Sequence, residues 1–388
     1  MLAVIMVVIL LIIGLALIKL GLNSRLQAIH SQLVIEAKTA ADAGLTKAIK
    51  LMSNKLEAEK YAWDNSTLPA EANVVLAGSD PIAKYTCTIV GNFSNGWDIA
   101  STGTINNVQR TVHEKVKVKS SWFGIGVEQD ITIKSNVTFG SYPDSNIPLK
   151  IQTNSTSPDS IKLFPNLTIP GDIVIGPGGD PAEVIDTKSS TYIEGNSYPA
   201  EEPIQFSPVV VPPELMALGI TPSPTGDVNV TGDIRYSGNV DISSGKVNIV
   251  GNSRIYIQGG KLTVFNSAEL LVKAGGKLEL YMDGNVECKN SGYISNENSD
   301  ARNLILFGTT NCTSIILKAK TDSFLTIYAP SANLQIFNDG TFYGALVGKS
   351  LDEIKNSGTF YFDTRLLDFL SGLTPPVLET VQGSWWEE

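Results

Sequence analysis

The chain has 388 residues, a formal net charge of −10 and only 18% charged residues, and its length suggests two or three domains. This acidic balance argues against a general nucleic-acid binder, which needs a basic surface, so no nucleic-acid partner is expected. Three cysteines without a CxxC pair and two distant histidines provide no ligand spacing for a metal centre, and we expect no cofactor.

Residues 1–18 form an uncharged apolar run that ends at Lys19, and its length matches the ~18 to 20 residues that a bilayer-spanning helix needs. A secretory signal has a basic segment before its apolar core, whereas this run starts at Met1, so an ordinary cleavable signal is disfavoured. After Gly21, apolar and small residues recur at three- and four-residue spacing to about Leu56. The sequence therefore predicts a first domain, residues 1–58, that is one continuous helix.

This helix is the predicted assembly element. Small residues in its second half provide a surface for close helix packing, and the helix runs on without a Pro or Gly-Ser break. A plain membrane anchor followed by a linker is the alternative. Gly14 and Gly21 are predicted weak points, because glycine lowers helix stability by ~1 kcal/mol relative to alanine. The candidate assembly residues are Met1, Leu11, Gly14, Gly21, Ala37, Ala40, Ala41, Gly44 and Ala48.

The segment AIHSQLVIEAKTAADAGLTKAIKLM, after an apolar run, resembles the start of PilX-type members of the type IV pilin superfamily. Its Ala40-Ala41-x-Ala43-Gly44-Leu45 pattern carries the likeness. KYTCTIV and GWDIASTGTINNVQRTVHEKVKVK resemble the antiparallel strands of a pilin head, including the Ser101-Thr102-Gly103 turn. The resemblance covers residues 1–120 and, more loosely, the closing part of the chain. It implies a second domain, residues 59–120, that is a pilin-like sheet.

The resemblance also implies a function. The chain is expected to be a structural subunit of a type IV pilus-like extracellular filament, held in the inner membrane before assembly, with copies of itself and the pilus assembly machinery as partners. A minor or tip pilin acting as an adhesin on a surface or carbohydrate ligand, and a membrane-anchored carbohydrate-active protein, are the alternatives. Many major pilins have glutamate where this chain has Ile5. No basic leader precedes Met1, so either Met1 is the processed N-terminus or there is no leader.

Short strands dominate the rest of the chain. Residues 226–370 repeat units such as KVNIVGN, RIYIQGG and KLTVFNS about every seven residues, which favours a parallel β-helix with three strands in each turn of ~20 residues. Residues 121–225 hold a looser set of strands and a proline-rich crossing. The predicted fold class is therefore α+β: a long N-terminal hydrophobic helix on a small antiparallel sheet, followed by a mainly right-handed parallel β-helix.

The tail, residues 371–388, ends in Trp385 and Trp386, which are predicted to cap the open end of the β-helix or to dock on another subunit. Polysaccharide lyases use clustered acids on such folds, and the candidates here are Asp227, Asp233, Arg235, Asp241, Arg254 and Glu279. Most of these acids occupy turn positions, where Asp is favoured for its own backbone bonds. No GxSxG, HExxH or P-loop motif is present, so the chain is predicted not to be an enzyme.

The cysteines and asparagines add two further expectations. Cys288 and Cys312 are 24 residues apart, close to one turn of winding, so they are either a disulfide or two isolated buried thiols. Cys87 would be a small buried residue of the sheet. Sequons for N-glycosylation begin at Asn65, Asn92, Asn136, Asn154, Asn166, Asn229 and Asn311.

Overall fold

A computed structural model describes residues 2–58, 67–79, 82–92, 96–118, 124–319, 322–338, 340–355, 358–368, 378–381 and 383–388. The chain divides into two compact units. Unit 1 comprises Met1–Lys119 together with Pro375–Glu388, and unit 2 comprises Ser120–Thr374. Along the sequence, unit 2 is therefore an insertion within unit 1. The predicted boundary at residue 225 is not a boundary between compact units.

Unit 1 consists of one long helix and one antiparallel sheet. Helix α1 spans Leu2–Ala58, which confirms the predicted helix. The sheet has the order β1-β2-β3-β4-β30, and β31 also pairs with β4. Its strands are β1 (Glu71–Val75), β2 (Ala83–Asn92), β3 (Gly96–Ile105), β4 (Val108–Val118), β30 (Leu378–Thr380) and β31 (Trp386–Glu387).

The sheet buries one face because its side chains alternate. Trp97, Ile99 and Ile105 of β3 are fully buried, and so are Val112 and Val116 of β4. The intervening residues are more exposed, as expected for a sheet with one packed face. The small antiparallel sheet that was predicted in residues 59–120 is therefore confirmed, although it also includes two strands from the tail.

Unit 2 is built from short parallel strands. Two four-residue helices, α2 (Pro181–Val184) and α3 (Pro213–Met216), interrupt them, and Ala301–Asn303 and Thr364–Asp368 form 3-10 helices. The strands before α3 are β5 (Ile125–Val127), β6 (Ile131–Ile133), β7 (Thr138–Tyr142), β8 (Lys150–Thr153), β9 (Ile161–Leu163), β10 (Thr168–Ile169), β11 (Asp172–Ile175), β12 (Ile185–Thr187), β13 (Tyr192–Ile193) and β14 (Ser197–Pro199).

Fifteen further strands follow α3 among the described residues of unit 2. They are β15 (Val228–Val230), β16 (Ile234–Ser237), β17 (Val240–Ile242), β18 (Lys246–Ile249), β19 (Asn252–Gln258), β20 (Leu262–Val264), β21 (Glu269–Val272), β22 (Lys277–Met282), β23 (Val286–Cys288), β24 (Tyr293–Asn296), β25 (Leu304–Gly308), β26 (Ser314–Ala319), β27 (Ser323–Asn338), β28 (Thr341–Lys355) and β29 (Thr359–Asp363).

From β15 to β23, each strand pairs in parallel with the strand three positions later. One ladder therefore contains β15, β18, β21 and β24, a second begins with β16, β19, β22 and β25, and a third with β17, β20, β23 and β26. Inward-facing aliphatic side chains stack from strand to strand within the second ladder. Ile255, Leu280, Leu306 and Ile327 are consecutive register partners, and all are buried. The predicted parallel strands with alternating inward residues are confirmed.

The order of strands along the ladders differs from their order in the chain. Leu346 of β28 pairs with Ile125 of β5, and Thr359 of β29 pairs with Thr138 of β7. The strands β5–β14 therefore continue the ladders beyond β28 and β29. The chain enters unit 2 at β5 and leaves it after β29, and both strands lie in the interior of the ladders. The outermost strands of unit 2 are β14 at one end and β15 at the other.

Residues 200–225, here called the return segment, connect those two ends. Its residues bond to successive strands of the second ladder: Ile204 exchanges hydrogen bonds with the Asn154 amide, and the Tyr328 hydroxyl donates to the Ser207 carbonyl. At its far end, the Met216 carbonyl accepts from Arg235 at 2.6 Å. The predicted proline-rich crossing therefore runs the length of the ladder, and it covers the outward-facing row that includes Tyr328, which is 1% exposed.

Candidate assembly surface

The second half of α1 packs on its own sheet. Ala37, Ala40, Ala41 and Ala48 are buried, together with Leu45, Met52 and Leu56. A β-carbon added at Gly103 of β3 would overlap the Ala37 carbonyl oxygen, so the small residues allow the helix and the sheet to approach closely. Gly44 is enclosed in the same way, because an added β-carbon would lie 2.7 Å from a ring carbon of Tyr85.

This packing corrects one prediction. Ala37, Ala40, Ala41, Gly44 and Ala48 were assigned to a seam between subunits, but in the structure they form the interface between α1 and its own sheet. The physical reason is that the same small side chains suit either a second helix or a closely approaching strand. Sequence spacing identifies the close-packed surface without identifying its partner.

The first half of α1 has the opposite character. From Ile5 to Ile29, the large aliphatic side chains described are exposed, and Leu11 is 61% exposed. An added β-carbon at Gly14 or Gly21 would have no neighbour within 4 Å. The helix is long and apolar enough to cross a membrane, and none of its most apolar window is buried within the chain. Met1 lies outside the described residues. The candidate assembly surface is therefore the exposed apolar half of α1.

Cys87 lies at the interface of α1 and the sheet, as predicted for a small buried residue. Its thiol donates to the Gly44 carbonyl at 3.1 Å and to the Ser101 hydroxyl at 3.6 Å. Burial raises the pKa of this thiol, because the charged thiolate would lose its water. Next to it, burial raises the pKa of Tyr85 to about 12, and its hydroxyl donates to Glu71 at 2.9 Å.

The tail belongs to unit 1. Leu378 pairs with Val118 and Trp386 pairs with His113, both antiparallel, so the tail extends the sheet along the outer edge of β4. The first expectation, that the tryptophans cap the open end of the β-helix, is wrong. An edge strand with unpaired backbone groups attracts another strand, and the chain supplies that strand itself.

Side-chain contacts hold the tail in place. Lys38 of α1 forms a 2.6 Å ion pair with Glu387, and its ammonium lies 5.0 Å from the Trp385 ring centroid. The hydrogen bond with Glu387 raises the pKa of Lys38. Sequence reasoning missed Lys38 and His113. The signal for them in the sequence is the aromatic and acidic end of the chain, Trp-Trp-Glu-Glu, which is suited to bind basic and aromatic side chains.

Cys288 and Cys312 are free thiols, and both are buried. Glu287 of β23 pairs with Ile316 of β26, so Cys288 lies level with the residue after Ile316, several positions beyond Cys312. Of the two alternatives, a disulfide or two isolated buried thiols, the structure has the second, because the loop after β24 lengthens this turn beyond the 24 residues that separate the two cysteines. Burial raises the pKa of each thiol to about 12.

The sequons differ in accessibility. Asn136, Asn166, Asn229 and Asn311 are exposed. The Asn154 amide instead donates to Glu128 and to the Ile204 carbonyl, both at 2.8 Å, so it holds the return segment to the end of β8. Asn65 lies outside the described residues, and Asn92 ends β2.

Four of the six candidate catalytic groups lie on the second ladder: Asp233 precedes β16, Arg235 lies in β16, and Arg254 of β19 is the register partner of Glu279 of β22. Arg254 binds Asp233 and Glu214, and its hydrogen bond lowers the pKa of Asp233. Glu279 pairs with Lys277 at 3.1 Å. Asp227 accepts from the Lys246 backbone, Asp241 lies in β17, and Arg235 holds the return segment. Among the described residues, no group of three or more His, Cys, Asp or Glu side chains is arranged to hold a metal ion.

Comparisons with known proteins give little further guidance. Residues 224–369 match a family described as a domain of unknown function, DUF7305, which lies entirely within unit 2. No curated protein matches the chain. Among solved structures, the chain is similar to the crystal structure of the competence-associated pilin ComZ from Thermus thermophilus, at 10% identity and a TM-score of 0.29 over 92% of this chain and 97% of that chain. A superposition at that level is too weak to transfer fold or function.

Proposed function

We propose that this protein is a non-enzymatic structural subunit of a pilus-like extracellular filament, with α1 as its assembly element and unit 2 as its displayed part. The exposed apolar half of α1 carries the proposal. Transferring a Leu or Ile side chain out of water contributes about 1.5–3 kcal/mol, so a row of them must be covered by lipid or by other helices. Lipid before assembly and copies of the same helix afterwards satisfy this requirement in turn.

The proposed partners follow from the two environments of α1, lipid before assembly and other helices afterwards. They are the inner membrane, the pilus assembly machinery and further copies of the chain. The resemblance of residues 1–120 to PilX-type pilins supports this reading, because such subunits combine a long helix with a small antiparallel sheet. For unit 2 we infer a right-handed parallel β-helix, supported by strands that pair three positions apart and by the right-handedness of parallel crossovers.

Filament formation by altered chains tests the proposal. Removing residues 1–23 should leave a soluble, folded protein that forms no filaments. Leu11→Asp should also abolish filaments, because it places a charge among apolar helices, while the rest of the chain stays folded. Asn23→Asp introduces the same carboxylate at a polar position of the same helix and should assemble normally. Filaments of normal appearance from the truncated chain, seen by electron microscopy, would refute the proposed role of α1.

The absence of enzymatic activity is part of the proposal. It is supported by the engagement of Asp233 and Glu279 in ion pairs with Arg254 and Lys277. Incubation of the whole chain with a panel of polysaccharides should release no product. Cleavage that disappears in Asp233→Asn or Asp241→Asn would instead support a carbohydrate-active protein.

A further inference from the structure

The first ladder of unit 2 ends in an open cavity. This ladder is a four-stranded sheet, and among the described strands none pairs with β24 on the side away from β21. Beyond β24, the Asn296 amide donates to the Phe324 carbonyl at 3.0 Å, which connects the chain across the interruption. The cavity at this position has a volume of about 340 Å³. Its lining includes Lys246, Ser267, Glu269, Ser291, Tyr293 and Ser295.

Charge in the cavity is balanced. Lys246, Glu269 and Tyr293 are register partners on β18, β21 and β24, so they form one row of side chains. The Lys246 ammonium and the Glu269 carboxylate form a 2.8 Å ion pair, and the Ser295 hydroxyl donates to the same carboxylate. Because the two charges cancel, the cavity favours a neutral ligand over an ion.

The serine hydroxyls lie at corners of the ladder. Ser267 and Ser291 have φ of 63° and 62°, each after an asparagine that is also in the left-handed region, and each lies two residues before its strand. Two successive corners of the ladder therefore present a serine hydroxyl at the same position.

We propose that this cavity binds a neutral sugar unit of a glycan. A pyranose presents hydroxyls that both donate and accept, which matches serine hydroxyls beside a carboxylate and an ammonium group. It also has an apolar C–H face that packs on an aromatic ring, here Tyr293. The volume is at the lower end of the range for small-molecule sites, which suits one or two sugar rings. This binding activity is independent of filament assembly by α1.

The test uses the full chain in micelles of a detergent without a sugar headgroup. The probes are the methyl glycosides of glucose, galactose, mannose and N-acetylglucosamine, measured by saturation-transfer NMR and titration calorimetry. At least one should bind with a Kd below about 10 mM. Ser291→Gly removes a hydroxyl without straining the corner, and Glu269→Gln removes the charge of the carboxylate. At least one of these variants should weaken binding tenfold or more.

Glu297→Gln is the matched control. Glu297 follows β24 and pairs with Lys273 after β21, so this change breaks a second ion pair between the same two strands without altering the cavity lining. It should leave the Kd unchanged. The proposal is overturned if none of the four glycosides binds, if neither cavity variant weakens binding tenfold, or if the control weakens it equally. None of these results would affect filament formation, which is scored separately by electron microscopy.

Discussion

The indole of Trp386 stacks on the imidazole of His113, with ring centroids 3.7 Å apart and planes 3° from parallel. Trp386 lies at the end of the chain, after unit 2, and His113 lies in β4, before it. The stack therefore closes the sheet of unit 1 around an insertion of more than half the chain. The Glu388 backbone adds reciprocal hydrogen bonds to Thr111, at 2.9 and 3.2 Å.

Trp386→Ala should release the end of the tail from β4. Stacked aromatic pairs contribute about 0.5–1.5 kcal/mol beyond the area they bury, so local protection should fall by a similar amount. Hydrogen exchange of the amides in residues 111–116 measures the loss. Trp385→Ala is the comparator, because both tryptophans are 47% exposed and Trp385 contacts Lys38 but stacks on no described ring. Equal effects of the two substitutions would show that the His113 stack contributes no more than the contact of Trp385 with Lys38.

Unit 2 should be removable without unfolding unit 1. Val118 and Leu378 are antiparallel register partners, so the strands on either side of the insertion are already next to each other. Replacing residues 120–374 by a turn of about four residues should give a folded unit 1 with the same sheet, because short hairpin loops join such strands. Circular dichroism and exchange protection of β4 report the result. A chain that unfolds would show that unit 2 is required for the fold of unit 1.

Two glycine-to-alanine changes should act in opposite directions. Gly103→Ala forces a methyl group against the Ala37 carbonyl and should destabilise unit 1 by about 1–3 kcal/mol, the usual cost of overpacking. Gly21→Ala meets no neighbour and should stabilise α1 by about 1 kcal/mol. Urea unfolding measures the first, and exchange of helix amides in micelles measures the second. Destabilisation by both would mean that the α1 backbone at Gly21 is enclosed.

The three cysteines should be unreactive in the folded protein. Burial raises the pKa of Cys288 and of Cys312 to about 12, so almost no thiolate exists near pH 8. A thiol-specific reagent should label all three cysteines in denaturant without prior reduction, and label Cys288 and Cys312 very slowly before unfolding. If only Cys87 were labelled in denaturant and all three cysteines were labelled after reduction, Cys288 and Cys312 would form a disulfide after all.

Acid should loosen the far end of the return segment. The hydrogen bond from Arg254 lowers the pKa of Asp233 below its ordinary 3.8, so this pair stabilises the fold fully above that pH and is lost as pH falls through the lower, folded-state value. The pair is exposed, and it contributes about 0.2–1 kcal/mol. Arg254→Ala at neutral pH should reproduce the acid effect. Exchange of amides 214–218 measures both, and protection that stays unchanged down to the lowest pH at which unit 2 remains folded would contradict the role of Asp233.

Local patterns in the sequence predicted the elements of this fold well. The apolar run and the three- and four-residue spacing beyond it predicted α1, and the alternation around Ile255 and Leu280 predicted inward-facing strands. Pairing between distant segments was not encoded in these patterns. Seven-residue units place a strand in a ladder, but they do not show that β5 follows β28, because each short strand fits either end equally well.

For the candidate assembly surface, too, the sequence predicted local features but not the contacts between distant segments. Sequence analysis recognised the apolar half of α1, whose exposed side chains are a property of the helix alone. It misassigned Ala37 and Gly44, because the sequence does not show which element packs against a small residue in the folded chain. It also missed the cavity at β24, which arises where one ladder stops, and no residue type marks that position.

The winding of unit 2 has a mechanical consequence. Its two chain connections, at β5 and after β29, lie in neighbouring strands within the ladders, while the outermost strands β14 and β15 are joined by the return segment. A pulling force applied through the two connections would therefore act only on the strands between them. The other strands of unit 2 would bear no force. The outermost strands contain no chain terminus, so they cannot unfold from a free end, and an exopeptidase could not begin digestion there.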